Sequence, residues 1–192
     1  MKKRTAVSAF LSALFFCHAL AQQGELFTPR PGESSGDFAA RVIPPGTKLA
    51  HPVVQGSFGP SAKSLVVLFG KEEDRPYTGW ILIPQGEGYR KVELPRIELM
   101  WSHTEVKAVF FANADRDADN ELLVLCDHYT GIGPTGARPF YYTWVYDWNG
   151  REVVWLEKIS EKIGTLATAG KVRRRLRALG YRPARSAKTG TT

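Results

Sequence analysis

The sequence predicts a mainly β chain: two four-stranded antiparallel meanders packed as a sandwich or as an open fragment, with a C-terminal helix. Three observations point there. Eight short apolar runs rich in Val, Ile, Phe, Tyr and Trp follow one another from Val53 to Leu156, each cut by turn residues. No segment of 3.6-residue period lies between them, which disfavours βαβ units. The order of parts also repeats once along the chain.

The chain has 192 residues, 43% hydrophobic and 11% aromatic, enough to bury a core. It opens with Met1, Lys2, Lys3 and Arg4, continues in an apolar run from Ala6 to Phe16, and reaches Ala19-Leu20-Ala21 before Gln22. A basic start, a short apolar middle and small residues at −3 and −1 read as a signal peptide over residues 1–21, which places the mature chain in the periplasm or outside the cell. Cys17 follows Phe16 rather than a small residue, which argues against a lipidated N-terminus. No second apolar run approaches membrane-spanning length. Two cysteines, one of them inside the signal, exclude a disulfide framework and a Cys-based zinc cluster.

Residues 22–47 hold Pro29, Pro31, Pro44 and Pro45 with few apolar residues, and read as a Pro/Gly-rich leader. A single β domain with its helix then covers residues 48–182. Repeat 1, about 53–94, contains the strands Val53 to Phe58, Ser64 to Phe69, Gly79 to Ile83 and Tyr89 to Leu94. Repeat 2, about 106–156, contains Val106 to Ala112, Glu121 to Asp127, Phe140 to Trp148 and Glu152 to Leu156. In each, a run of four aliphatics (Leu65 to Leu68, Leu122 to Leu125) precedes a Trp-bearing strand (Trp80, Trp144) and then a polar turn (Gln85-Gly86-Glu87-Gly88, Asn149-Gly150). A four-stranded unit of this length is propeller-blade-like. Two such units cannot close a ring, so their sheets must pack on each other or lie side by side.

Past Leu156 the pattern turns helical. Glu157 to Gly164 reads as a short helix ended by glycine, and Ala169 to Leu179 places Val172, Leu176 and Leu179 on one stripe, with Gly180 and Pro183 as stop signals. Residues 183–192 read as a disordered basic tail. Between Lys162 and Thr192 there are nine Lys or Arg and no acid, so the overall charge of +7 belongs to the C-terminal segment. An acidic body with a basic end is poor support for nucleic-acid binding. Arg173, Arg174 and Arg177 offer an anionic surface a place to bind, or form the wet face of a docked helix.

The most pointed chemistry lies in Asn113-Ala114-Asp115-Arg116-Asp117-Ala118-Asp119-Asn120-Glu121, between two strands. Oxygen donors at every second position of a short loop can converge on one hard cation, and calcium takes 6 to 8 oxygens. The candidate ligands are the side chains of Asn113, Asp115, Asp117 and Glu121 and the carbonyl of Asp119. Without a cation the four carboxylates repel one another. The other reading of the same residues is an acidic, solvated turn.

This loop and its flanking strands resemble the calcium-loop repeats of the FG-GAP and VCBS type, whose pattern D-x-[DN]-x-D-G-x-x-[DE]-L is met by Asp115, Asp117, Glu121 and Leu122, with Asn113 in place of the first Asp. The resemblance implies a structural or adhesive module in which the ion holds the hairpin. Ala118 stands where that family has Gly; if the position is left-handed, the alanine costs on the order of 1 to 2 kcal/mol. With the uncharged Asn113, this implies weak binding, at roughly 10⁻⁴ to 10⁻³ M.

Other signals carry less. Gly131 to Gly136 matches G-x-G-x-x-G by spacing but contains Pro134 and runs into a strand rather than a helix, so it reads as a long hairpin loop and a candidate recognition surface. Cys126 and His128 share one face of a strand and, with His103, have the donor types of a transition-metal site. No nucleophile elbow, S-x-x-K or H-E-x-x-H occurs. The sequence therefore reads as an exported non-enzymatic binding or structural module with a protein or glycan partner. The alternative is a small exported hydrolase using carboxylates that sequence cannot pair.

Overall fold

The strands are continuous apolar runs because both faces of each sheet are buried. In the computed structural model, residues 26–71, 77–97, 102–130 and 138–181 are described. The segments expected to be a signal peptide (1–21), a long hairpin loop (131–136) and a basic tail (183–192) lie outside them. The elements in order are β1 (Leu26–Phe27), α1 (Ser35–Val42), β2 (Lys48–Leu49), β3 (Val54–Phe58), β4 (Ser61–Gly70), β5 (Tyr77–Gln85), β6 (Gly88–Ile97), β7 (Ser102–Ala112), β8 (Glu121–Thr130), β9 (Arg138–Trp148), β10 (Val153–Trp155), α2 (Glu157–Ile163) and α3 (Ala169–Ala178).

The strands β3 to β6 form the first meander and β7 to β10 the second, all antiparallel, as the sequence predicts. The short β1 and β2 add to the first sheet beside β6 and β4. The segment read as a leader thus contributes a helix and strand pairings to the domain. Ser34 caps α1, its hydroxyl accepting from the Asp37 amide at 3.1 Å and donating to the Asp37 carboxylate at 2.7 Å. Phe38 and Ala39 pack against Leu65, Val67, Trp80 and Leu82 on the outer face of the first sheet.

Alternation along each strand divides the interior into three layers of apolar contact. Val66, Leu68, Ile81 and Ile83 meet Leu122, Val124, Trp144 and Tyr146 between the two sheets. On the far face of the second sheet, Phe110, Leu123, Leu125 and Val145 are covered by Ile163 of α2 and by Val172 and Leu176 of α3. The result is a β sandwich with α1 on one outside and α2 and α3 on the other. No helix among the described residues is long and apolar enough to cross a membrane.

The two meanders keep the same internal register: Leu65 opposes Leu82 as Leu122 opposes Tyr146, and Val67 opposes Trp80 as Val124 opposes Trp144. Their matched residues nevertheless end in different layers. Leu65 and Trp80 face α1, whereas Leu122 and Trp144 face the other sheet. The front of one unit therefore packs on the back of the next, as successive members of a stack do, and a two-fold relation is excluded. The helices occupy the faces where further units would have to sit.

Candidate metal centre

The loop joining β7 to β8 begins at Asn113 and ends where Glu121 opens β8. Asn113 is buried and holds the loop closed: its Nδ2 donates to the carbonyls of Asp117 at 2.6 Å and Asp119 at 3.1 Å, and its Oδ1 accepts from the Arg116 amide at 3.1 Å. The carboxylate of Asp115 accepts from the Asp117 amide at 3.1 Å, and that of Asp117 from the Asp119 amide at 3.0 Å. Each bond orients a side chain against the backbone two residues on.

Antiparallel alternation brings Glu121 to the helix-facing side of the second sheet, the side of Leu123 and Leu125. On the neighbouring β9, Asp147 lies just past the Leu122–Tyr146 pair and projects to the same side as Val145. Carboxylate oxygens of Asp115, Asp117, Glu121 and Asp147 all lie within 4.8 Å of one another. This is the one such gathering of His, Cys, Asp or Glu among the described residues.

The electrostatics are those of acids crowded without compensation. Glu121 is fully buried, and its Oε2 accepts from the Ala114 amide while its Oε1 has no partner. Burial, reinforced by the charges of Asp115, Asp117 and Asp147, pushes its carboxyl up to about 8. Burial is also the first cause of the upward shifts of Asp115 and Asp147, each increased by neighbouring carboxylates. The Trp148 amide donates to Asp147 Oδ1 at 2.6 Å and opposes that rise. Asp119 is pushed up to about 6 by burial and by Asp117.

The site thus differs from its sequence reading in three respects. Asp115, Asp117 and Glu121 come together, but the Asn113 side chain and the Asp119 carbonyl are bonded to each other inside the loop, and the Asp119 carboxylate is not among the gathered four. Asp147, on a different strand, takes a place in the cluster. The left-handed residue is Arg116, at φ 81°, and Ala118 is not left-handed, so the alanine carries none of the strain that a missing glycine implied.

His128, by contrast, is engaged as a buried neutral side chain. Its Nδ1 lies 2.8 Å from the Thr104 hydroxyl, and its Nε2 accepts from Trp144 Nε1 at 3.4 Å, while burial lowers its pKa to about 4. Burial also pushes the Cys126 thiol well up, so it packs as a small apolar group. Cys126, His128 and His103 do not gather as a metal-ligating group.

The fold and this cluster define a β sandwich of two stacked meanders bearing one all-carboxylate cluster at the hairpin of its second sheet. No protein-family model, curated protein or solved structure matches the chain.

Proposed function

We propose that the chain is an exported, non-enzymatic binding or structural module whose β7–β8 hairpin is held to β9 by one calcium ion on Asp115, Asp117, Glu121 and Asp147. The observation that carries this reading is Glu121. A fully buried carboxyl with an unpartnered Oε1, facing three more carboxylates, lacks the positive charge that would compensate it. A donor set of oxygens alone, without nitrogen or sulfur, suits a hard cation rather than zinc or copper. Such an ion ties the β7–β8 connection to the strand ends at Glu121 and Asp147, which is a structural task. The likeness to calcium-loop repeats supports the same role, and the basic, apolar start of the chain supports export.

Thermal unfolding tests the reading. At ten times a dissociation constant of roughly 10⁻³ M, one site adds on the order of 1 kcal/mol. In a domain of this size that raises the melting temperature by about 2 to 4 °C. EGTA reverses the shift. A wild-type curve indifferent to calcium overturns the reading.

A further inference from the structure

Beside the carboxylate cluster, α3 stands off the end of β7 and leaves a cleft of about 230 Å³, bounded by Ala112, Asn113, Asn120, Arg173, Arg177 and Tyr181 among its lining residues. None of the eight residues that line it is acidic, and two are arginines. Arg173 and Arg177 lie one helical turn apart, about 40° from each other around α3, and both line the cleft, whereas Arg174, about 100° from Arg173 and about 60° from Arg177, does not. Arg173 is fixed in place: its Nη1 donates to the Phe111 carbonyl at 3.1 Å, and its guanidinium lies 4.6 Å from the centre of the Phe110 ring. Its remaining guanidinium N–H groups have no hydrogen-bond acceptor among the described residues. The Arg177 guanidinium has no hydrogen bond, ion pair or ring contact among the described residues. Asn120, half-buried, adds an amide at the opposite wall.

A guanidinium presents paired donors that match the two oxygens of a carboxylate or a phosphate. One anchored arginine, a second without a partner among the described residues, and an asparagine across the gap make a recognition set for one oxyanion. We propose that this cleft is a second site, which takes a carboxylate or phosphate group on a ligand of about monosaccharide size. It rests on α3 and Asn120 and does not require a cation in the neighbouring loop. It also separates the three arginines that the sequence groups together: Arg173 and Arg177 serve the cleft, and Arg174 does not.

Titration calorimetry of the mature chain in EGTA, with glucuronate, inorganic phosphate and glucose as probes, tests this. The expected result is saturable one-to-one binding of glucuronate or phosphate and none of glucose, with the tighter anion identifying the source of the group. Arg177→Gln weakens that binding at least tenfold at unchanged melting temperature, while Arg174→Gln changes it less than twofold. The proposal is overturned if neither anion saturates, if glucose binds as well, or if Arg174→Gln weakens binding as much as Arg177→Gln, which would reduce the effect to general positive charge.

Discussion

The Arg116 guanidinium donates from Nη2 to the carbonyl of Leu179 at 2.9 Å, tying the acidic loop to the last turn of α3 across 63 residues of chain. The same guanidinium lies 5.3 Å from the centre of the Tyr181 ring. A cation at a helix C-terminus meets carbonyls that have no partner within the helix. Arg116 performs this while in a left-handed conformation, flanked by two of the gathered carboxylates.

Two substitutions separate these contributions. Arg116→Ala keeps the left-handed strain and loses the contact to α3, whereas Arg116→Gly loses the contact and relieves the strain. Glycine at this position should be the more stable of the two by about 1 kcal/mol, measured by urea unfolding. Both should speed hydrogen exchange in the amides of Leu179 and Gly180 relative to wild type. Equal stability of the two variants would show that the loop relaxes to another conformation.

The β-rich class, the two meanders and both C-terminal helices are legible because they follow from local periodicity. Leu65 to Leu68 and Leu122 to Leu125 are apolar without alternation because α1 covers one outer face and α2 with α3 the other. The helix α1 carries its periodic signal in four residues only, Phe38, Ala39, Val42 and Ile43 at i, i+1, i+4 and i+5, which all pack on the first sheet, and its two turns between flanking prolines are too short for that pattern to stand out. Its cap was present in the sequence, as Ser34 with Asp37 three residues on. Asp147 was not locally readable. It joins the cluster only through the register of β8 with β9, and the residues between those strands leave that register undetermined by sequence. The opposite destinations of Trp80 and Trp144 are likewise a property of how the sheets stack, not of either strand.

Glycine lets β3 of the first sheet pack directly on a ring of the second. A Cβ built on Gly56 of β3 would fall 2.2 Å from the Phe111 ring of β7. Gly56→Ala must displace that ring or separate the sheets, at a cost of about 1 to 3 kcal/mol. Phe111→Leu should recover part of this in the double variant. Urea denaturation of the four proteins measures the coupling, and strict additivity would mean that the ring does not meet residue 56.

The pH dependence has a defined sign. Glu121 is held at about 8 in the folded chain against an ordinary 4.5, so between these values the unfolded chain is ionised there while the folded chain keeps its proton. Stability without cation therefore falls as pH rises through that window. His128, lowered from 6.5 to about 4, acts oppositely below 6.5, where the unfolded chain takes up a proton that the folded chain refuses. Between pH 6.5 and 8 only the carboxyl contribution remains of these two. In EGTA the melting temperature should decline over that interval, and in Glu121→Gln the decline should be largely removed.

Glutamine at 121 also separates the cation from the fold. It reproduces the shape of a protonated glutamate, so the chain without cation should fold at least as stably at pH 7.5 as wild type, while calcium should no longer raise its melting temperature. Asp147→Asn should behave in the same way, because it removes one negative charge from the cluster and leaves an oxygen that can accept from the Trp148 amide. On the calcium reading proposed above, an ion that uses both Glu121 oxygens must displace the proton that the folded chain holds there at pH 7. Calorimetry at pH 7 in buffers of different ionisation enthalpy should therefore detect release of close to one proton per calcium, declining above pH 8. Calcium binding without proton release would place the ion on Asp115, Asp117 and Asp147 alone, and an undiminished calcium response in Asp147→Asn would remove β9 from the site.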